Sequence, residues 1–497
     1  MKKKLPLFYS ASLLTVVSLL LRMAGTGFQV YVSNRIGAQG VGLLQLVLSV
    51  GFMAMTAGTA GIRTTTMYLT AEKLGQKQAS HIPWLLHGCF RYSIITSTIT
   101  AILLYMFSIP IAGKWIGSAE AVPAIKLVAL SIPLTCFVSV LTGYYTAAGR
   151  ISVLAAVEVT EQLIAIVLTV VLFETWVFSS LSRACQAVVM GSIVGSIFTL
   201  LALIILNKKE YGTGYERYPI GRKIISTAFP LAAADDLRTG ISTAENMMVP
   251  KRLSLCSAVS EPMAVFGIVC GMVFPVLMLP AVILFSLGDL LISEIARCHA
   301  SGSIRRIQYL TNRSMRVSLI YGGIWGGILF SCGTHIGNRL FQNQESGAYL
   351  VAFSLLVPML YCDALTDAIT KGMGQQKACV KYNIITSSID LISLYFLLPI
   401  YGMKGYFFSF FVSHALNFFL SMRRLLKITR CIISFRFLFK IMLSFFAAIL
   451  ISSFIQNYLC AAGVFIIIFF CNLTLSGVAG LGDIKWIFHM MHKKRST

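Results

Sequence analysis

The sequence carries fourteen apolar runs of about 20 residues, near 7–33, 41–70, 84–109, 121–147, 152–173, 184–206, 222–248, 261–291, 315–334, 347–370, 380–399, 403–425, 434–456 and 459–480. A helix of that length spans the hydrocarbon of a bilayer, about 30 Å. Inside lipid the backbone must satisfy its own polar groups, which leaves only helices or a closed barrel. Runs this long and continuous predict an all-α polytopic membrane protein with about fourteen transmembrane helices. Composition agrees: 57% of the 497 residues are hydrophobic and 12% charged, about half the charged share of a soluble domain.

The formal charge of +23 belongs to orientation rather than to nucleic-acid binding. With the N-terminus inside, most Lys and Arg fall on cytoplasmic segments, in clusters such as Lys2–Lys4, Lys208/Lys209, Arg305/Arg306, Arg423/Arg424/Lys427 and Lys493–Arg495. That is the positive-inside pattern, with both termini cytoplasmic and anionic lipid headgroups as neighbours. Lys2–Lys4 ahead of an apolar run resembles a signal peptide, but the run is too long, carries Arg22 and lacks a small-residue cleavage site. It reads as the first helix. The twelve cysteines form no C-x-x-C pair and the seven histidines no H-E-x-x-H pattern, so neither a metal nor a cofactor is expected.

No hydrophilic stretch is long enough for a soluble domain, and no P-loop, G-x-S-x-G or dinucleotide fingerprint occurs. The reading is therefore a transporter and not an enzyme, driven by an ion gradient, the membrane potential or the cargo's own gradient. An internal repeat appears at an offset of 225 residues, pairing Gly42 with Gly267, Leu130 with Leu355, Pro133 with Pro358 and Gly149 with Gly374, while Pro6 and Pro230 correspond at 224. "LSIPLTCFVSVLTGYYTAAGR" lies over "SLLVPMLYCDALTDAITKGMGQ", each closing on a glycine turn. Six helices per repeat is an even number, so the halves are parallel repeats around a central cavity. The expected organisation is a six-helix lobe over 1–206, a cytoplasmic linker over 207–222, a second six-helix lobe over 223–428, and two further helices with a basic tail over 429–497. A monomer suffices for such a cavity.

A charge at bilayer depth costs ~2.5–3.5 kcal/mol on insertion scales, so it faces water or a partner. Arg22, Arg63 and Arg238 lie within spans and are the candidate substrate-binding residues. A guanidinium stays charged when desolvated and its fork grips two oxygens, which suits a lipid pyrophosphate. Pairing to an acid for assembly alone is the bland alternative, strongest for Arg238 with Asp235 and Asp236 a turn away. Asp235, Asp236 and Glu245 are the candidates for coupling to H+ or Na+. Gating candidates are Pro133 and Pro358, whose missing N–H permits a bend, with Glu158 and Glu161 beyond the "AAGR" turn. Asp363, Asp367 and Lys371 join them, sharing one helical face at four-residue spacing.

The order of spans, the doubled six-helix unit with two terminal helices, "LLRMAGTGFQVYVSNRIGAQGVGLLQL" and "YYTAAGR" resemble the stage V sporulation protein B branch of the multidrug/oligosaccharidyl-lipid/polysaccharide flippase superfamily. The resemblance covers essentially the whole chain. It implies a bacterial plasma-membrane flippase moving an undecaprenyl-pyrophosphate-linked saccharide, lipid II or a polysaccharide precursor, from inner to outer leaflet, for cell-wall or spore-cortex synthesis. Arg22 with Gly25 matches the helix-1 arginine motif of related lipid II flippases; where those carry another arginine six residues on, this chain has Phe28. A cation-coupled multidrug exporter is the alternative if Asp235, Asp236 and Glu245 matter and Arg22 does not. A membrane glycosyltransferase or polymerase would need an essential acid or histidine on an external loop. If Arg22 anchors the pyrophosphate, translocation of fluorescent lipid II in proteoliposomes is lost in Arg22→Ala, and transport unchanged by the substitution removes that assignment.

Overall fold

A computed structural model describes residues 7–76, 78–177, 180–208, 220–431 and 435–477 of the protein. The basic clusters at Lys2–Lys4 and Lys493–Arg495, and most of the expected 207–222 linker, lie outside the described residues. Within them every expected apolar run coincides with helix. α1 (Leu7–Thr59) bends at Gly37, whose φ of 69° breaks the helical path, and so holds the first span and most of the second. The second span continues as α2 (Ile62–Gly75). Then come α3 (Ile82–Met106), α4 (Val122–Ala147), α5 (Ile151–Thr175), α6 (Leu181–Lys208) and α7 (Gly221–Leu253). α8 (Pro262–Met278) and α9 (Ala281–Ala300) form one span bent by 61°. α10 (Ile304–Phe341) follows, then a second bent pair, α11 (Gln344–Ser354) and α12 (Val357–Gly372), at 58°. α13 (Gln376–Tyr401), α14 (Met403–Thr429), α15 (Phe435–Ser452) and α16 (Tyr458–Leu475) complete the order.

Among the described residues eight helices are long and apolar enough to cross a membrane, and counting each of the two bent pairs as one span raises the number to ten. One of the eight, Val17–Gly75, holds two expected spans. The remaining expected spans are α7, α14 and α15. α7 misses the mark because Asp235, Asp236, Arg238 and Glu245 interrupt it, which is where a wet surface is needed.

Two compact units result, 35–267 with the start of α1, and 268–497 with Gln29–Asn34. In the first unit α4 is central, packed against α2, α3 and α6, while α5 lies on α6. Leu85, Cys89, Val140, Leu141 and Tyr145 meet in its core, and the Tyr145 hydroxyl donates to Leu203 O at 3.0 Å. Gly42 and Gly267, matched by the repeat, touch one another here: a Cβ on Gly267 would lie 2.5 Å from Gly42 N, and one on Gly42 would overlap Met263 O.

In the second unit α10 is the spine, contacting α11, α12, α15 and α16. α10 carries "GGIWGG", and the rings of Phe469 and Phe465 lie over Gly323 and Gly327. In lipid, where apolar burial offers no drive between helices, such small-residue faces supply the contact. The repeat is visible within each unit separately. α4 closes with Gly149 at φ 73° and α12 with Gly374 at φ 73°. Arg150 N donates to Tyr145 O and Gln375 N to Thr370 O, at 3.0 and 3.1 Å, the same turn twice. The matched prolines differ: Pro133 sits inside an unbroken α4, whereas Pro358 opens α12 just after the 58° bend.

Replacing Gly327 with valine would drive a branched side chain into the Phe465 ring. Overpacking of this kind costs about 1–3 kcal/mol, so G327V should lower the thermal midpoint in detergent, read by intrinsic fluorescence, while Gly463→Val on open space should not.

Candidate functional site

A cavity of about 660 Å³ opens in the first unit between the second limb of α1, α2, α4 and α7. Its lining is unusually polar for a membrane-depth surface. α1 contributes Gln45, Ser49, Thr56 and Thr59 at spacings that keep one helical face, and α7 contributes Asp235, Arg238, Thr239, Ser242, Thr243 and Asn246 in the same way. Arg63 and Thr64 enter from the first turn of α2, and Ser139 from α4. The side chains of Arg63 and Arg238 are exposed to this space. Two guanidiniums and one carboxylate, Asp235, therefore share a hydroxyl-rich lining. α7 is pinned to α1 at the cavity's edge by Thr243 Oγ1 donating to Ser49 O at 3.2 Å and Asn246 Nδ2 donating to Ser49 Oγ at 3.0 Å.

Arg63 reaches this wall because the second span breaks. Ala60 and Gly61 take φ of 42° and 70°, a left-handed pair that ends α1 and restarts the helix as α2. Alanine is strained there. Neighbours compensate: a Cβ at Gly61 would come within 2.8 Å of Ala228 O on α7, so only glycine fits. The carbonyls released by the break are taken by α3, with Tyr92 OH donating to Ala60 O at 3.2 Å and Thr96 Oγ1 to Gly58 O at 2.8 Å. No side chain caps α2, so its first turn, carrying Arg63 and Thr64, turns its positive end toward the cavity.

The other residues singled out from sequence divide between several places. Arg22 is exposed on the first limb of α1, outside this lining, where Gln162 of α5 donates to Leu21 O at 2.9 Å. Asp236 turns from the cavity toward α3, where its charge acts on Tyr92. Glu245 is half-buried on α7 and does not line the cavity. Glu158 lies within the field of Arg63. Glu161 is held between α5 and α6, accepting from Ser196 Oγ at 3.0 Å and Thr199 Oγ1 at 2.7 Å.

In the second unit Asp363 Oδ2 accepts from Asn417 Nδ2 at 2.9 Å, and Asp367 pairs with Lys371 at 2.6 Å. Among the described residues no group of three or more His, Cys, Asp or Glu could hold a metal ion.

The hydroxyl and amide residues around Arg63 and Arg238 are what reading charges alone overlooks. Their signal is in the sequence: Gln45, Ser49, Thr56 and Thr59, then Asp235, Thr239, Ser242 and Asn246, form polar stripes with helical period inside apolar runs.

The profile of a family described as "Polysaccharide biosynthesis protein" matches residues 44–258, which span the whole cavity lining. The chain is 20% identical over 412 residues to stage V sporulation protein B of Bacillus subtilis, covering 79% of this chain and 78% of that one. Its fold superposes on the inward closed conformation of the lipid II flippase MurJ with a TM-score of 0.72 at 14% identity, over 93% of this chain and 98% of that one. An inward-facing multidrug resistance MATE transporter of the MOP superfamily gives 0.67 at 12% identity, over 84% and 99%. This is the MOP transporter fold. The chain is accordingly a multi-pass membrane protein, as its apolar helices require.

In this MOP fold the sign of the cavity's field is measurable. With the exposed Cys460 and Cys471 changed to serine, a cysteine introduced as Ser242→Cys should react roughly two- to fivefold faster with an anionic methanethiosulfonate than with a cationic one. Adding Arg63→Gln and Arg238→Gln should reverse that order.

Proposed function

We propose that the protein is a flippase for an isoprenoid-pyrophosphate-linked saccharide, lipid II or a polysaccharide precursor, carried from the inner to the outer leaflet of a bacterial plasma membrane with both termini cytoplasmic. The observation that carries this reading is that Arg63 and Arg238 line one polar cavity whose lining holds a single carboxylate, Asp235. A pyrophosphate offers several oxygens to two rigid guanidinium forks. The uncapped first turn of α2 adds its dipole to the same charge. The ring of hydroxyls and amides from Ser49, Thr59, Ser139, Ser242 and Asn246 suits the sugar hydroxyls next to that pyrophosphate. A cavity of about 660 Å³ has room for the pyrophosphate and the sugar next to it, and leaves the isoprenoid tail in lipid. The names of the matching proteins, a sporulation protein, a polysaccharide biosynthesis family and a lipid II flippase, point to the same cargo class.

In this reading Arg22 meets the headgroup outside the cavity lining, on its way in or out. Asp235, whose carboxylate lies a turn from Arg238, is the best placed of the acids for exchanging H+ or Na+ against the cargo. Rocking between states needs a joint, and the bend before Pro358 is one, with the Asp367–Lys371 pair on the helix it opens.

A second reading, a cation-coupled drug exporter, is favoured by one observation, the carboxylate of Asp235 in the cavity wall. The two separate in proteoliposomes. For a flippase, fluorescent lipid II or a polysaccharide precursor crosses the bilayer, R63A/R238A slows it about tenfold or more, and Arg63→Lys retains part of the rate. Drug efflux that survives R63A/R238A and is lost in Asp235→Asn, with no lipid-linked saccharide moved by the intact protein, replaces the flippase with the exporter.

A further inference from the structure

On the same unit, a second concavity of about 360 Å³ lies between α1, α3 and α7, and its chemistry is the opposite of the first. Val50, Met53 and Ala57 of α1, Leu103 and Phe107 of α3 and Met247 of α7 make an almost wholly apolar trough. Several of these side chains are themselves open to the surroundings, Met53 at 40%, Leu103 at 50% and Phe107 at 54% exposure. One end of the trough is different. There the chain leaves α3, passes Pro110 and makes a wide π-helical turn, Ile111–Ile116, which sets Lys114 and Trp115 side by side on the rim. Both are exposed. Thr243, which donates to Ser49 O, lines both the trough and the polar cavity.

We propose that this trough is a specific seat for an anionic glycerophospholipid, with one acyl chain along the apolar wall and its phosphate at Lys114. A trough facing the bilayer is filled by some chain in any case, because neither water nor vacuum is tolerated there. The rim decides which chain. Lys114 lies in the π-helical turn that follows a membrane-length helix, where hydrocarbon gives way to headgroups, and a tryptophan beside it is the side chain that anchors at that level. Its ammonium is a point charge complementary to a lipid phosphate. Lys126, at the start of α4, is turned to the Tyr105 ring at 5.1 Å, and the acid of this connection, Glu120, lies beyond Gly117, where its charge acts on Cys185 of α6. Lys114 is thus the charge that belongs to the trough. The seat is distinct from the polar cavity, since Thr243 is the one lining residue common to both.

The test uses Trp115 as the reporter. The full chain is placed in nanodiscs with phosphatidylglycerol or phosphatidylcholine brominated on the acyl chain, and the Trp115 signal is taken as the difference between native protein and Trp115→Phe. The expected result is half-quenching by the phosphatidylglycerol at about fivefold lower mole fraction, the preference one lysine confers at a membrane surface. Lys114→Gln, an exposed change that leaves the helices intact, should bring the two lipids to equality. Ala57→Phe, which fills the trough, should reduce quenching by both, with helix content and elution volume as checks that it has folded. Equal quenching of the native protein, or a preference that survives Lys114→Gln, overturns the proposal. Displacement of the brominated phosphatidylglycerol by an equal mole fraction of undecaprenyl phosphate also overturns it, by giving the trough to an isoprenoid tail.

Discussion

A peptide group in hydrocarbon has no water to fall back on, and everything else in this protein is arranged around that requirement. Long helices satisfy it by themselves. Where a helix is interrupted, the loose carbonyls and amides must find partners nearby, so interruptions concentrate where other side chains or an aqueous surface can supply them. The break at Ala60–Gly61 shows both remedies at once. Its carbonyls are taken by Tyr92 and Thr96, while the amide end of α2 turns toward a polar cavity. Arginine at position 63 is affordable for the same reason, because the place where the backbone can be wet is also where a guanidinium can be.

The spans themselves were open to sequence reading, since a run of apolar residues long enough to cross lipid has few other uses. The repeat was equally open, and the shared φ of Gly149 and Gly374 gives its physical content: the same left-handed turn is needed at the end of the same helix in each half. The bends were less legible. Pro133 and Pro358 occupy matched places in matched text, yet only the second adjoins a sharp bend, because the packing around each helix decides whether a missing N–H becomes a joint. Gly58 and Gly61 could be noted in advance, but the left-handed conformation of Ala60 could not. Nothing in an alanine announces strain that its neighbours impose.

For the site, single charges were a partial guide. Arg63 and Arg238 come together at the cavity, with Asp235 beside them, whereas Arg22, Asp236 and Glu245 lie outside its lining. Helical periodicity explains the split between Asp235 and Asp236: neighbours in sequence are about 100° apart around α7, so one faces the cavity and the other α3. Reading polar residues as stripes rather than as isolated charges would have drawn most of the cavity wall, including Ser49, Ser242 and Asn246.

The break in the second span makes the cavity a product of helix association. An isolated span in hydrocarbon has no partner for a carbonyl except its own helix, so residues 41–75 by themselves favour the straight form. The kinked form that delivers Arg63 to the cavity needs α3 beside it, where Tyr92 and Thr96 take Ala60 O and Gly58 O in exchange. The polar interior of the finished protein is therefore written into no single helix; it exists only where several have packed together.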